Sequence, residues 1–353
     1  MAKRSIGIPR VYCDLGLYLK AMGYYDGYSM NPYLVTKDKN PFTMNPSNMN
    51  TYTTSNEWLD FKYKIKYHDD AEKNKNLNLL LGYGPTSFYG GVLGHDIGYN
   101  TTNPHWFDFS YIDTNDVEYE MNLRTNIFNN HYYGAGHNGA EWDGFTIRHL
   151  HDPFSTNDTD ALKIKEMRIR FTGNIVGINM KIGALTWGRY FNLPRCDLQA
   201  TINHEYEGLD HKSTLGGSTL LNKKHTGQKM WGDLPAWAIK NRADVDGIDF
   251  KAVSNVPRRS WKLKMSFISD DDLFNQTENQ NKFFDFYSTS QSYGARHFEF
   301  FSLTLNGNLP FIFCPDKDAD DLEFAICRIA KPPVFKEVAK NLWTTQFTIV
   351  ESY

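Results

Sequence analysis

The chain has 353 residues and a formal net charge of −3, with 22% charged and 15% aromatic side chains. That length can bury a sizeable core and suggests two domains, and the composition is not that of a disordered chain. Without a basic excess to displace counterions, a protein that wraps nucleic acid is also excluded.

Residues 1–54 are expected to form a short helix and an extended arm. The helix is predicted over 8–23: Pro9 suits a first turn, Val11, Leu15, Tyr18, Leu19 and Met22 recur on one face, and Gly23 supplies a stop. Residues 24–56 are rich in Asn, Pro, Thr and Tyr, with Pro32, Pro41 and Pro46, and read as an arm or a long loop. Tyr24, Tyr25, Tyr28 and Tyr33 would give that arm large contact area while keeping hydroxyls for hydrogen bonds.

The second unit, 55–193, opens with a period of two. Leu59, Phe61, Tyr63, Ile65 and Tyr67 alternate with polar residues and predict a half-buried strand. Similar alternation recurs at 117–123, 145–147, 167–171 and 176–182. A strand pair at 163–171 and 174–182 is expected to lead to a boundary near 193. In the third unit, 194–353, alternation continues at 198–202, 261–267 and 343–349, with a weak helix pattern at 278–290. Trp261, Phe267, Phe311, Phe313, Ile326 and Trp343 are expected to fill a core. Many short strands separated by Gly and Asn clusters predict an all-β protein, with two β-sandwich or barrel-like domains after the helix and arm.

The cysteines at 13, 196, 314 and 327 contain no CxxC, so reduced thiols are expected, as in a protein made in cytoplasm; a Cys314–Cys327 disulfide is the minority alternative. No signal peptide or apolar span of about 18 residues is recognisable, and no membrane insertion is expected. Six histidines fall between 95 and 151, and His149-Leu150-His151 on a strand would put two imidazoles on one face, a spacing that metal sites use. The accompanying motifs are absent, so hydrogen-bonded histidines are the expectation, with no metal and no cofactor. Asp316-x-Asp318-x-Asp320-Asp321 departs from a calcium loop, with Asp321 in place of the Gly and Cys327 in place of the bidentate Glu, and reads as an acidic turn. Asp270-Asp271-Asp272 reads as a helix cap. No nucleophile or phosphate-loop motif stands out, and no enzyme is expected.

Aromatic faces that stack on sugar rings, beside amides and carboxylates that bond hydroxyls, are the second candidate chemistry. Trp106, Tyr132, Tyr133, His137, Asn138 and Trp142 are the candidate glycan-binding or interface residues of the 55–193 unit.

Three segments of the last part carry a family resemblance: the Gly216-Gly217 region with Trp231-Gly232-Asp233, the Arg258-Arg259-Ser260-Trp261 strand, and Leu309-Pro310-Phe311-Ile312-Phe313 followed by Phe324 to Arg328. Together, over roughly 180–353, they resemble bacteriophage virion proteins of the tail and baseplate hub. The 55–193 unit, with Asn130 to Asn138 and the Gly183 to Pro194 segment, resembles galactose-binding β-sandwich modules. The resemblance implies a non-enzymatic virion component, made in the host cytoplasm and located in the tail. Its implied partners are other copies in a ring and neighbouring tail proteins, with the Tyr-rich arm, Trp231 and the 207–237 loop as contacts. The alternatives are a module that binds a host surface glycan and a minor capsid or decoration protein.

Overall fold

A computed structural model describes residues 6–31, 40–46, 50–68, 88–95, 105–121, 145–150, 164–173, 175–177, 179–197, 201–205, 209–213, 216, 219–223, 258–269, 300–318 and 324–352. The elements in chain order are β1 (Arg10–Asp14), α1 (Leu15–Ala21), β2 (Tyr25–Asn31), β3 (Asn50–Thr53), β4 (Trp58–Ile65), β5 (Phe88–His95), β6 (His105–Asp113), β7 (Glu118–Glu120) and β8 (Phe145–Leu150). There follow β9 (Ile164–Gly173), β10 (Asn179–Asn192), β11 (Thr201–Glu205), β12 (Leu209–Ser213), β13 (Thr219–Lys223), β14 (Arg258–Ser269), α2 (Phe300–Leu303), β15 (Phe311–Cys314), β16 (Ala325–Ala339) and β17 (Leu342–Glu351). The protein is all-β, as its alternating strings predict.

One large curled sheet runs β11-β14-β17-β16-β15-β1-β10-β5-β8, with β3 added to β10. A second sheet runs β2-β4-β9-β6-β7, and β12–β13 form a separate hairpin around Gly216. The named strands of both sheets pair antiparallel throughout.

The large sheet continues across position 193, because β1 bonds to β10 on one side and to β15 on the other. The described parts of the segment expected as an arm are β2, bonded to β4, and β3, bonded to β10, with a short stretch between them whose Phe42 and Met44 are buried.

Several local expectations change. The predicted helix over 8–23 begins only at Leu15, because Val11, Tyr12 and Cys13 form a strand buried on both faces. Asp14 caps the helix by accepting from the Leu17 amide at 2.8 Å, and Gly23 ends it in the left-handed region at φ 84°. The expected pair 163–171 and 174–182 is not a pair: β9 lies between β4 and β6, while β10 lies in the other sheet. The chain between them passes from one sheet to the other, and Val176 makes an isolated bridge to Thr54. The helix pattern at 278–290 lies outside the described residues.

The two sheets pack face to face over β5 and β10. Leu59, Phe61, Tyr63 and Ile65 of β4 are buried towards this interface, and the Tyr63 ring lies 5.5 Å from that of Trp187. Gly90 is required here, since an added Cβ would sit 2.2 Å from the Phe109 ring of the facing sheet. Gly188 serves the turn from β1 into α1, where a Cβ would lie 2.0 Å from the Cys13 carbonyl oxygen. At the other end, α2 supplies Phe300 and Phe301 to a core with Trp261, Phe311, Phe313 and Phe347. Of the six residues expected to fill a core, Trp261, Phe311, Phe313 and Trp343 lie in or against this one, Ile326 is buried on the opposite side of the sheet, and Phe267 is 81% exposed. A bulge between Met265 and Ile268 breaks the alternation, so Ile268 takes the inward place and Phe267 turns out at φ 60°.

The outer face of the second sheet is held by charge. Asp60 of β4 is buried and accepts from Arg170 at 2.7 Å, while Arg168 of β9 reaches Glu118 of β7 at 2.5 Å. Burial pushes the Glu118 carboxyl up, but the Ser110 hydroxyl and the two arginines outweigh it and hold the group below its ordinary value. All four cysteines are buried thiols outside any disulfide. Cys327 stands opposite Phe311 rather than Cys314, and the two thiols belong to clusters on opposite sides of the sheet, so no disulfide joins them.

Candidate functional site

The face of β1, β10, β5 and β8 turned away from the second sheet concentrates the half-exposed polar chemistry. The register places Asp14, Gly188, Tyr89 and His149 in one row across these four strands, with Tyr12 beside Tyr190 in the next. Because side chains alternate, the β1 residues Arg10, Tyr12 and Asp14 share this face while Val11 and Cys13 point into the inter-sheet core.

Tyr12 is the hub. Its ring meets Tyr89 edge-on at 5.1 Å and Tyr190 at 5.7 Å, and its hydroxyl lies 3.1 Å from His149 Nε2. The His149 ring stacks on Tyr190 at 4.3 Å, and the Arg10 guanidinium lies over the other partner at 4.7 Å from the Tyr190 centroid. Arg10 also donates from Nε to Asn192 at 2.7 Å and sits 3.2 Å from His149 Nε2 through Nη1. A guanidinium only donates, which gives His149 Nε2 the acceptor's part in its contact with Arg10.

Behind this rim lies a buried polar line. Tyr89 Oη is 2.9 Å from Thr186 Oγ1, and the Thr186 hydroxyl also serves the Asp14 carboxylate. Burial pushes the Asp14 carboxyl up to about 7, against the pull of the Leu17 and Gly16 amides and of Thr186. Burial likewise raises the Tyr12 and Tyr89 phenols well above their ordinary value, so both remain neutral donors. Arg10, His149 and Tyr190 are half-exposed, so the site can offer hydrogen bonds to an anionic or hydroxylated ligand.

The expected glycan residues are not assembled here. Trp106 lies on β6 opposite Thr172, in the second sheet. Tyr132, Tyr133, His137, Asn138 and Trp142 lie outside the described residues, as do Tyr33 and Trp231. Tyr24, Tyr25 and Tyr28 are partly buried against the core: Tyr24 meets His68 at 5.1 Å, Tyr25 meets Tyr63 at 4.8 Å and accepts from Asn40, and Tyr28 meets Phe42 at 6.3 Å.

Of the His149–His151 pair weighed as possible metal ligands, His149 contacts Tyr12, Arg10 and Tyr190, and His151 lies outside the described residues. Among the described residues no three His, Cys, Asp or Glu side chains gather to hold a metal ion. Asp316 accepts from the Ile8 and Asp318 amides, as an acidic turn residue does. No described helix is long and apolar enough to cross a membrane.

Arg10, Tyr12, Tyr89 and Tyr190 were not legible as a site in the sequence. The weak signal was His149 within an alternating strand; its partners come from three other strands whose register no local pattern reveals. Among known proteins, no family model matches this chain and no curated sequence matches it.

Proposed function

We propose that the chain is a non-enzymatic structural protein of a bacteriophage virion, a tail or baseplate component that assembles into a ring with copies of itself and with neighbouring tail proteins. The reading rests on the resemblance carried by the Gly216-Gly217 hairpin, the Arg258 to Trp261 strand and the Pro310 to Phe313 strand. The structural observation that supports it best is the continuity of the large sheet, which ties strands from near both ends of the chain into one slab. A slab of paired strands, pinned by buried ion pairs such as Arg259–Glu351, suits a part that must transmit load without changing shape.

Electron microscopy of the purified protein, with antibody labelling of phage particles, tests the reading. Closed rings and label confined to the tail are expected. A persistent monomer, together with particles free of label, would overturn it, and label on the head would favour a capsid or decoration role.

A glycan-binding module is the second reading, supported by the half-exposed Arg10, His149 and Tyr190 rim. Ligand-observed NMR against host surface oligosaccharides would then show saturation transfer that Tyr190→Ala abolishes. Absence of transfer to the unaltered protein disposes of this reading.

A further inference from the structure

The register of β14, β17 and β16 creates a basic face that nothing above uses. Residues paired across neighbouring strands point to the same side of a sheet. Three consecutive rows therefore share the outer side: Lys262–Thr348–Lys331, Lys264–Gln346–Val334, and Thr344–Lys336 with Ser266 beside Thr344. Arg328, opposite Val350, extends the set by one row. The opposite side of the same strands holds Leu263, Met265, Phe347 and Ile349, all buried.

Five cations thus stand on one face of the sheet, spaced roughly 7 Å along a strand and 10 Å across two strands. Lys262, Arg328, Lys331 and Lys336 are exposed, and Asp197 is the one carboxylate paired with any of the five among the described residues, 3.9 Å from Lys264. Glu337 pairs with Trp343 and so belongs to the opposite side. The whole chain carries −3; counting Asp197 with the five cations, this face carries +4 and the remainder −7. Such a separation of charge orients one molecule towards another.

Self-repulsion disfavours an isologous contact through two such faces. The complementary surface is the β6–β7 hairpin on the other sheet. It exposes Asp116, Glu120 and Glu118, the last bonded to Arg168, with Val117 at its tip, and β7 is the outer strand of that sheet. Val334 and Val338 provide matching exposed apolar contacts on the β16 ribbon. The ribbon edge itself is guarded by Lys331, Pro332 and Pro333 and by irregular register, which disfavours strand addition and leaves the face as the docking surface.

We propose that the basic face of β14, β17 and β16 docks the acidic β6–β7 hairpin of a second copy of this chain. The contact joins two different patches, so it is heterologous and propagates head to tail until a ring or filament forms. Only the choice of a second copy as the occupant rests on the assembly reading above. The Asp116–Lys165 pair is exposed and its rearrangement costs little. Among the described residues the face presents no row of aromatic platforms for stacking bases, which favours a protein over a single-stranded nucleic acid.

Sedimentation velocity on the full chain, with the variants K331E/K336E and D116N/E120K, tests the contact. The unaltered protein is expected to associate with rising concentration and to dissociate near about 1 M salt, where the screening length is about 3 Å. Each double variant should weaken association by about tenfold or more, and the variant carrying all four substitutions should recover part of the loss. Unchanged circular dichroism shows that folding is intact. Association indifferent to these substitutions overturns the docking face while leaving self-assembly standing. A chain monomeric at every concentration overturns both, and loss through the basic variant alone overturns the acidic hairpin as occupant. Salt-sensitive retention of a single-stranded oligonucleotide by a monomer, lost in K331E/K336E, would assign the face to nucleic acid instead.

Discussion

Glu351 receives both the backbone amide and the guanidinium of Arg259, at 2.7 and 2.6 Å, and both side chains are buried between β14 and β17. The arginine also caps the Phe324 carbonyl at 3.4 Å and lies 5.1 Å from the Trp261 ring centre. Removing one member leaves an uncompensated charge in the core. Glu351→Gln or Arg259→Met should therefore cost about 3–5 kcal/mol in urea unfolding, while Arg259→Met with Glu351→Leu should cost much less than the two added. Additive losses would show that the two groups are not coupled.

Asp14 gives stability a pH dependence of unusual sign for a carboxylate. Between its ordinary value of 3.8 and about 7, the folded chain holds a proton that the unfolded chain has released. Its contribution to stability is full below that window, falls as pH rises through it, and is lost above it. Asn retains the helix cap without titrating. Asp14→Asn should match the unaltered protein near pH 4 and exceed it above pH 7 by an amount on the order of a few kcal/mol. Denaturant midpoints measured across that range decide it, and a difference independent of pH would refute the assignment to Asp14.

The seat of Phe109 against Gly90 measures how the two sheets fit. Gly90→Ala has no room for its methyl group, because the nearest contact is a ring of the opposite sheet at 2.2 Å. A loss of about 1–3 kcal/mol is expected, with partial recovery when Phe109 is reduced to Leu. If the double variant is no better than the sum of its parts in thermal unfolding, the sheets meet elsewhere.

Phe267 sits at φ 60°, exposed, on the bulge of β14. A bulky side chain is disfavoured there and Asn tolerates the conformation. Phe267→Asn is expected to raise stability by roughly 1 kcal/mol and to reduce adsorption to hydrophobic resin. A clear destabilisation would mean that the phenyl ring is packed after all.

How far the sequence reveals this architecture depends on which faces of a strand are wet. β4 has one buried and one charged face, so its period of two was plain. β1 is buried on both, and Val11-Tyr12-Cys13 carries no alternation; joined to the helical run after it, the segment reads as one longer helix. The bulge that ejects Phe267 has no local marker, and alternation alone cannot tell that β9 and β10 enter different sheets. The Tyr12 cluster was hidden for a related reason, since Arg10, Tyr89, His149 and Tyr190 meet only through long-range register. Trp106 has a residue type suited to sugar stacking, but its position on β6 sets it apart from that cluster.

The place of β1 between β10 and β15 has a consequence for synthesis. A ribosome delivers β1 long before either neighbour exists, and the large sheet cannot close until β15 emerges. Pairings so distant in sequence make folding slow, and an incomplete chain leaves strand edges open. Nascent chains halted before residue 300 should be cut by protease near β1, whereas the released chain should be protected there. Resistance in the halted chains would mean that β1 finds cover without β15. The order of manufacture thus opposes the order of enclosure: β1 is made well before β15, the strand that must cover its second edge.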